Sequence, residues 1–350
     1  MSRLRRVDLE HRDHRHVALY GDFEPAPPGY EPPSCEDGAY ERRWNPLRRE
    51  WVLVAAARQG RTFLPQRSHC PLCPSRPSHS TEIPAASFEV AVFDNRFPAM
   101  RRGARSSGVA EAVASAGASE VVVYTDRHDG AFASLSEARV AMLAEVWADR
   151  YRALAARGDV RYVYIFENRG EAVGVTLSHP HGQIYGYPFI PPVARLELGS
   201  RSGSSCGFCE VIAAERSRRL RVLLTRGGVI AYVPAFARWP YEVHVAPLRH
   251  HGALVDLTPQ SRRAFARALQ RVARGLDRLF QETMPYMMVL HQRPTDGRPH
   301  PQAHLHAEFY PLLRDRGRLK YLAGSESGAG VFINDTLPEA SAARLRAVLE

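Results

Sequence analysis

One pattern of cysteines and histidines occurs twice in this chain, in the same order, and it restricts the fold more than any other feature. Each copy opens on a Cys-x-x-Cys pair, Cys70 with Cys73 and Cys206 with Cys209. Each then passes through two short apolar strands, at 88–93 and 121–124 and at 229–233 and 243–246, to an Arg-His-x-Gly-Ala turn at 127–131 and 249–253. A long amphipathic helix follows in both. The first is expected near Ser134, with Glu137 completing a capping box and Val140, Leu143, Trp147, Tyr151 and Leu154 on the inner face. The second is expected from Thr258, with Pro259 in its first turn and Phe265, Leu269, Val272, Leu276 and Leu279 inward. A strand and a His-x-His motif close each copy, at His179–His181 and His304–His306. The first cysteine and first histidine are 109 residues apart in one copy and 98 in the other. The reading is an α+β chain of two tandem modules, mostly antiparallel sheet flanked by helices, whose sheets can join into one. With two copies of long period, a solenoid is excluded.

The module boundaries follow from composition. Residues 1–39 are polar and proline-rich and are read as an N-terminal extension, partly irregular, and 40–198 form the first module. The Gly/Ser-rich stretch 199–205 is the linker and 206–350 the second module. The run of small residues at 104–119 reads as a loop. The first sixteen residues are charged and lack an apolar core, so no signal peptide is expected, and no apolar run approaches membrane-spanning length. A cytoplasmic protein is therefore expected, in which paired cysteines serve metal rather than disulfides. The formal net charge is +10, but Lys320 is the only lysine and the arginines are spread along the whole chain. That distribution argues for compositional bias rather than a nucleic-acid surface, and a basic balance suits phosphorylated small substrates.

Each half offers a Cys₂His₂ set: Cys70, Cys73, His128 and His179, then Cys206, Cys209, His250 and His304. Zinc accepts thiolate and imidazole together in a tetrahedral site, and a site closed by four protein ligands is structural. The repeat selects the same four positions twice, although His251 and His300 compete as ligands in the second half. One or two structural zinc ions are expected. If His179 is a ligand, then His181, two residues on, is left for chemistry.

The stretch around His181 reads Ser178-His179-Pro180-His181-Gly182-Gln183. Proline holds the residue before it extended, glycine admits close backbone approach, and the alternating Tyr162, Tyr164 and Phe166 bring the turn to a sheet edge. An imidazole whose other nitrogen donates to a main-chain carbonyl is a good nucleophile near neutral pH.

His-Pro-His-Gly-Gln-Ile (179–184) resembles the active-site motif of the galactose-1-phosphate uridylyltransferases, a duplicated branch of the histidine triad superfamily. The resemblance extends through Arg43-Trp44-Asn45-Pro46-Leu47, Asn95-Arg96-Phe97-Pro98-Ala99, Phe166-Glu167-Asn168-Arg169-Gly170, His304-Leu305-His306-Ala307-Glu308 and the segment from Lys320. It implies exchange of UMP between UDP-glucose and galactose 1-phosphate by a ping-pong route. His181 would be the nucleophile that becomes uridylylated, and Gln183 the amide that steadies phosphoryl oxygens. The leaving group is a sugar phosphate with a second pKa of about 6, so it departs without an acid. It also implies that Arg58 and Arg61 contact the nucleotide sugar and that Asn95 and Arg96 lie on the uridine side, though the family often has Asp in place of Arg96. Asn168, Gly174 and Thr176 would border the diphosphate. Lys320, Tyr321 and Glu326 would bind the hexose across the interface of a homodimer. A second iron or zinc site is implied at Glu197, His291, His306 and Glu308, the last being Glu where the family usually has His. Two alternatives stay open: a nucleotide-sugar phosphorylase on the same fold, disfavoured by Gly182, and a zinc-stabilised nucleotide-binding protein without turnover, disfavoured by the intact motif.

Overall fold

The computed structural model describes residues 4–35, 38–200 and 206–349; residues 201–205 of the stretch read as a linker lie outside them. In chain order come strands β1 (Arg6–Glu10), β2 (His16–Pro25), β3 (Glu41–Asn45), β4 (Glu50–Val54), β5 (Ala85–Asp94), β6 (Ala112–Ala114) and β7 (Ala118–Val123). Helix α1 (Glu137–Ala155), β8 (Tyr162–Arg169), β9 (His181–Tyr187) and the short α2 (Pro192–Leu198) complete the first half. The second half runs α3 (Gly207–Arg218), β10 (Val222–Arg226), β11 (Val229–Tyr232), β12 (Val243–Pro247), α4 (Pro259–Phe280), β13 (Tyr286–His291) and β14 (His306–Pro311). The hairpin β15 (Leu313–Asp315) and β16 (Arg318–Leu319) and helix α5 (Pro338–Leu349) follow.

Among the described residues, eleven strands make one antiparallel sheet in the order β1-β2-β5-β7-β9-β8-β13-β14-β12-β11-β10. The repeat is visible in that order, since β5-β7-β9-β8 meets β13-β14-β12-β11 head on. At the junction Phe166 pairs with Val289, while Phe166 also opposes Gln183 and Val289 opposes Glu308. Each member of the junction pair holds the same place in its own half, so a local two-fold axis passes between them.

Alternation along the strands sorts the two faces. Val90, Val92, Val122, Ile165, Ile184, Met288, Leu290 and Phe309 point to one face, where α1 and α4 supply Trp147, Phe265 and Leu269 to a single core. His181, Gln183, His306 and Glu308 occupy the intervening positions and so open on the opposite face. Helix α4 begins where the sequence reading put it, with the Thr258 hydroxyl accepting from Ser261 N. Helix α1 is capped by Ser136, which accepts from Arg139 N, because Ser134 closes a preceding 3₁₀ turn.

The structure departs from the sequence reading in three places. Residues 6–10 and 16–25 are strands: Val17, Ala18, Leu19 and Tyr20 are fully buried, and β2 extends the main sheet by pairing with β5. That partner lies some seventy residues away (Val17 opposes Phe93), and local pattern does not announce so distant a pairing. Within 104–119, β6 adds a third strand beside β3, and β7 begins at Ala118. Finally, the His-Pro-His turn is not at a sheet edge. Strand β9 lies between β7 and β8, and the turn is reached through the excursion 170–180.

Candidate active site

His181 is the first residue of β9, and its backbone pairs with Val123 of β7. Its Nδ1 lies 2.7 Å from the carbonyl oxygen of His179. A carbonyl can only accept, so the proton sits on Nδ1 and the Nε2 lone pair is free. Burial lowers the affinity of the imidazole for a second proton below the ordinary value of 6.5, against the pull of the His179 carbonyl. The ring is therefore held neutral in one tautomer, as a nucleophile requires. Gly182 is needed for space. A Cβ there would lie 2.2 Å from the Tyr124 hydroxyl and 3.0 Å from Phe166 O on the core side of the strand. Below it, Tyr286 donates at 2.9 Å to Glu167, whose carboxyl burial pushes up to about 7.

A cleft of about 170 Å³ opens over His181 and Gln183. It brings together Arg58, Arg61, Asn95, Arg96, Asn168, Gly174 and Thr176, the residues that the family resemblance implies for the substrate. The loop carrying the first two arginines is fastened by Leu64 N to Thr176 O at 2.7 Å, and Arg58 donates to Phe97 O at 2.7 Å. Asn95 Oδ1 accepts from Phe97 N at 2.8 Å, which leaves its amide nitrogen to donate. Three guanidiniums in one cleft suit a diphosphate. Lys320, Tyr321 and Glu326 do not line this cleft. Lys320 Nζ is buried against Glu326 at 2.8 Å, and only Tyr321 projects into solvent. Sequence reasoning missed Glu82, Thr62, Leu72 and Tyr185, which also line the cleft. Tyr185 was within reach, being two residues past Gln183 and so on the same face of the strand. Glu82 carried no local signal.

Both Cys₂His₂ sets assemble. In the first, Cys73 Sγ is 3.3 Å from His128 Nδ1 and 3.6 Å from His179 Nδ1, with Cys70 Sγ 3.9 Å from the latter. In the second, Cys209 Sγ is 3.5 Å from His250 Nδ1 and 3.4 Å from His304 Nδ1, with Cys206 Sγ at 3.7 Å from His304. A tetrahedral zinc with ordinary bond lengths sets S···N at about 3.5 Å, so both sets fit the ion. His179 Nε2 donates to Thr125 O at 2.8 Å and His304 Nε2 to Pro247 O at 3.0 Å, which aims each Nδ1 at the thiols. His250 completes the second set; His300 is instead bound to Asp296 at 2.8 Å. The Cys70 thiol is lowered to about 7 by its hydrogen bond with Cys73, whose own proton is held up to about 12.

A third cluster stands at the position in the second half that His181 occupies in the first. His306 Nδ1 lies 2.8 Å from His304 O, repeating the active-site geometry. Its Nε2 is buried without a hydrogen bond, 3.7 Å from Glu197, which is also 3.6 Å from His291. Glu197, His291 and His306 are close enough to share one ion. Glu308 is not one of the three that close on one another, although it lies 3.7 Å from His306 and 3.9 Å from His291; the Tyr310 hydroxyl donates to it, and His244 Nε2, 3.3 Å away, is bound to Glu242 at 2.9 Å. Burial pushes the Glu308 carboxyl up, but the imidazoles of His244, His291 and His306 outweigh burial and hold it at about 2.

Residues 32–191 match the family model described as the N-terminal domain of galactose-1-phosphate uridyl transferase, and residues 197–350 match its C-terminal domain. The chain is 38% identical over 317 residues to the galactose-1-phosphate uridylyltransferase of Thermotoga maritima, covering 87% of this chain and 98% of that one. The enzyme of the same name from Streptomyces lividans is 34% identical over 333 residues, covering 89% and 87% respectively. Among solved structures, a uridylyltransferase superimposes with a TM-score of 0.78 at 34% identity over 88% of this chain and 98% of that chain. An ADP-glucose phosphorylase from Arabidopsis thaliana gives a TM-score of 0.67 at 20% identity, over 88% and 99%, which is a likeness of fold alone.

Proposed function

This chain belongs to the galactose-1-phosphate uridylyltransferase family, and from that membership we propose how its cleft performs the family's reaction. The protein is a nucleotidyltransferase that exchanges UMP between UDP-glucose and galactose 1-phosphate. In the first half-reaction, Nε2 of His181 attacks the α-phosphorus of UDP-glucose. The N–P bond forms as the P–O bond to glucose 1-phosphate breaks, and the electron pair leaves with the sugar phosphate. In the second, a phosphate oxygen of galactose 1-phosphate attacks the same phosphorus, the N–P bond breaks, and UDP-galactose departs. The observation that carries this reading is the 2.7 Å contact from His181 Nδ1 to the His179 carbonyl, which keeps Nε2 unprotonated before attack and supports the charge on the ring afterwards. Gln183, one side-chain repeat further along β9, donates to phosphoryl oxygens as negative charge builds. Arg58 and Arg61 take the diphosphate.

The fit of the two Cys₂His₂ sets supports a structural zinc in each half, the first fixing His179 and so the carbonyl on which His181 depends. Glu197, His291 and His306 supply a third donor set for a divalent ion, with Glu308 beside it at 3.7 Å from His306. The position of Lys320, Tyr321 and Glu326 outside their own cleft supports a homodimer in which this segment reaches the cleft of a second copy and meets the hexose. Cysteine pairs grouped with histidines as metal ligands support a reducing, cytoplasmic setting; among the described residues, no helix is long and apolar enough to cross a membrane.

The test is covalent trapping. Incubation with UDP-glucose labelled at the α-phosphate is expected to leave acid-labile, base-stable label on His181. A folded protein that takes up none refutes the mechanism, and label from ADP-glucose in preference would move the substrate.

A further inference from the structure

We propose that Arg15 and Glu82 are positioning residues for Arg96, so that the turn between the first two strands forms part of the nucleotide site, a role that rests on the uridylyl-transfer reading above. Glu82 is the only carboxylate among the residues lining the cleft. The substrate is a diphosphate, so a free carboxylate there would repel it. This one is not free. Its Oε2 is 2.6 Å from Arg15 Nη1 and its Oε1 is 3.2 Å from Arg96 Nε. Arg15 is held in turn by Asp13 at 2.8 Å, and it donates to the carbonyl of Pro33.

The result is an alternating series, Asp13–Arg15–Glu82–Arg96, with two acids, two bases and no net charge. Its burial is graded. The Arg15 and Glu82 side chains are 6% and 5% exposed and the Arg96 side chain 20%, so only the last guanidinium reaches the cleft. Arg96 is further restrained by Thr62 Oγ1 at 3.4 Å from Nη2 and by the Phe97 ring, 4.8 Å from its guanidinium carbon. A long side chain is thereby fixed in plane before substrate arrives, which removes ordering entropy from binding. It also explains how an arginine can stand on the uridine-side wall beside Asn95. Glu82 neutralises Arg96 from behind, and Arg15 keeps Glu82 from drawing that guanidinium out of the cleft. Strand β2 places Arg15 here by pairing with β5, whose C-terminal end leads into Asn95 and Arg96.

The two half-reactions make the proposal testable. Nucleotide recognition governs entry of UDP-glucose, whereas galactose 1-phosphate meets an enzyme that already holds the uridylyl group covalently. Glu82→Gln removes the carboxylate charge that faces the buried Arg96 Nε, which has no hydrogen bond of its own, and is expected to raise KM for UDP-glucose about tenfold, with KM for galactose 1-phosphate and kcat unchanged within about twofold. Arg15→Gln should act in the same direction, and Arg15→Lys should recover part of the loss. Because Arg15 is buried and its variants can fail to fold, the deciding measurement is a cycle in the folded Glu82→Gln and Arg96→Gln proteins. If Glu82 acts through Arg96, the double variant has the KM of Arg96→Gln alone. Fully multiplicative effects, or a KM for UDP-glucose unchanged in Glu82→Gln, would overturn the proposal. At saturating UDP-glucose the Glu82→Gln protein must still label His181. Absence of label in the native protein sinks the uridylyl-transfer reading instead, so the two failures are distinguishable.

Discussion

Gly182→Ala is the smallest substitution that reaches the nucleophile, and its consequence can be worked from the packing. The added methyl would stand 2.2 Å from the Tyr124 hydroxyl and 3.0 Å from Phe166 O. Non-bonded contacts of this kind settle at roughly 3.5 Å, so something must move by about 1 Å. Tyr124 is 1% exposed and lies edge-on against the buried Phe132, so it has no room to retreat. Phe166 O belongs to the central strand of the sheet. The strand that yields is β9, and the residue before Gly182 is His181. A misplacement of about 1 Å at a reacting group costs on the order of a hundredfold in rate, while the overpacking itself destabilises the fold by about 1–3 kcal/mol. Rapid-quench measurement of uridylyl-enzyme formation should show that loss in the first half-reaction, with the variant still folded at 25 °C. Adding Tyr124→Phe removes the 2.2 Å contact but leaves the ring carbon at 3.1 Å, so recovery should be partial. Native kinetics in Gly182→Ala would refute the claim that Tyr124 sets the position of β9.

Glu167→Gln should alter the pH dependence of stability. The carboxyl rises from 4.5 to about 7, so it favours the folded state below pH 4.5, and that contribution is lost as pH climbs through about 7. In urea titrations, the stability of the variant relative to the native protein should grow by about 3 kcal/mol between pH 5 and 8, and a constant difference would contradict the assignment. Metal analysis should find two zinc equivalents in the Cys₂His₂ sets. Cys73→Ser should lose one together with His181 labelling, whereas Cys209→Ser should lose the other and keep the label; retention of both zincs in either variant argues against these ligands. Arg61→Gln should raise KM for UDP-glucose about tenfold, and an unchanged KM would remove Arg61 from the diphosphate.

Local chemistry made much of this protein legible in its sequence. The doubled Cys-x-x-Cys, Arg-His-x-Gly and His-x-His pattern pointed to two α+β modules and picked out eight candidate metal ligands that the fold brings together in two clusters, because ligand types at matching spacings carry information without coordinates. The division proposed between His179 and His181 drew on the same repeat, which matched His179 to the cysteine pair, and in the fold His179 joins the cluster of Cys70, Cys73 and His128 while His181 lines the cleft. Tertiary structure decided the remainder. Residues 6–10 and 16–25 became sheet strands because Val17–Tyr20 found β5, a pairing some seventy residues away that no local period encodes. His250 rather than His300 completed the second Cys₂His₂ cluster because Asp296 holds the other ring. Glu82 was invisible in sequence yet lines the cleft, paired with Arg15 from the turn before β2 and Arg96 from the turn after β5. The repeat made both His-x-His motifs look alike, and their backbone geometry is indeed the same. What surrounds each differs. Arginines and amides converge on His181, and carboxylates and imidazoles on His306. Sequence order can name such groups, but only the sheet, by stacking residues distant in the chain on one face, brings them into the same few ångströms.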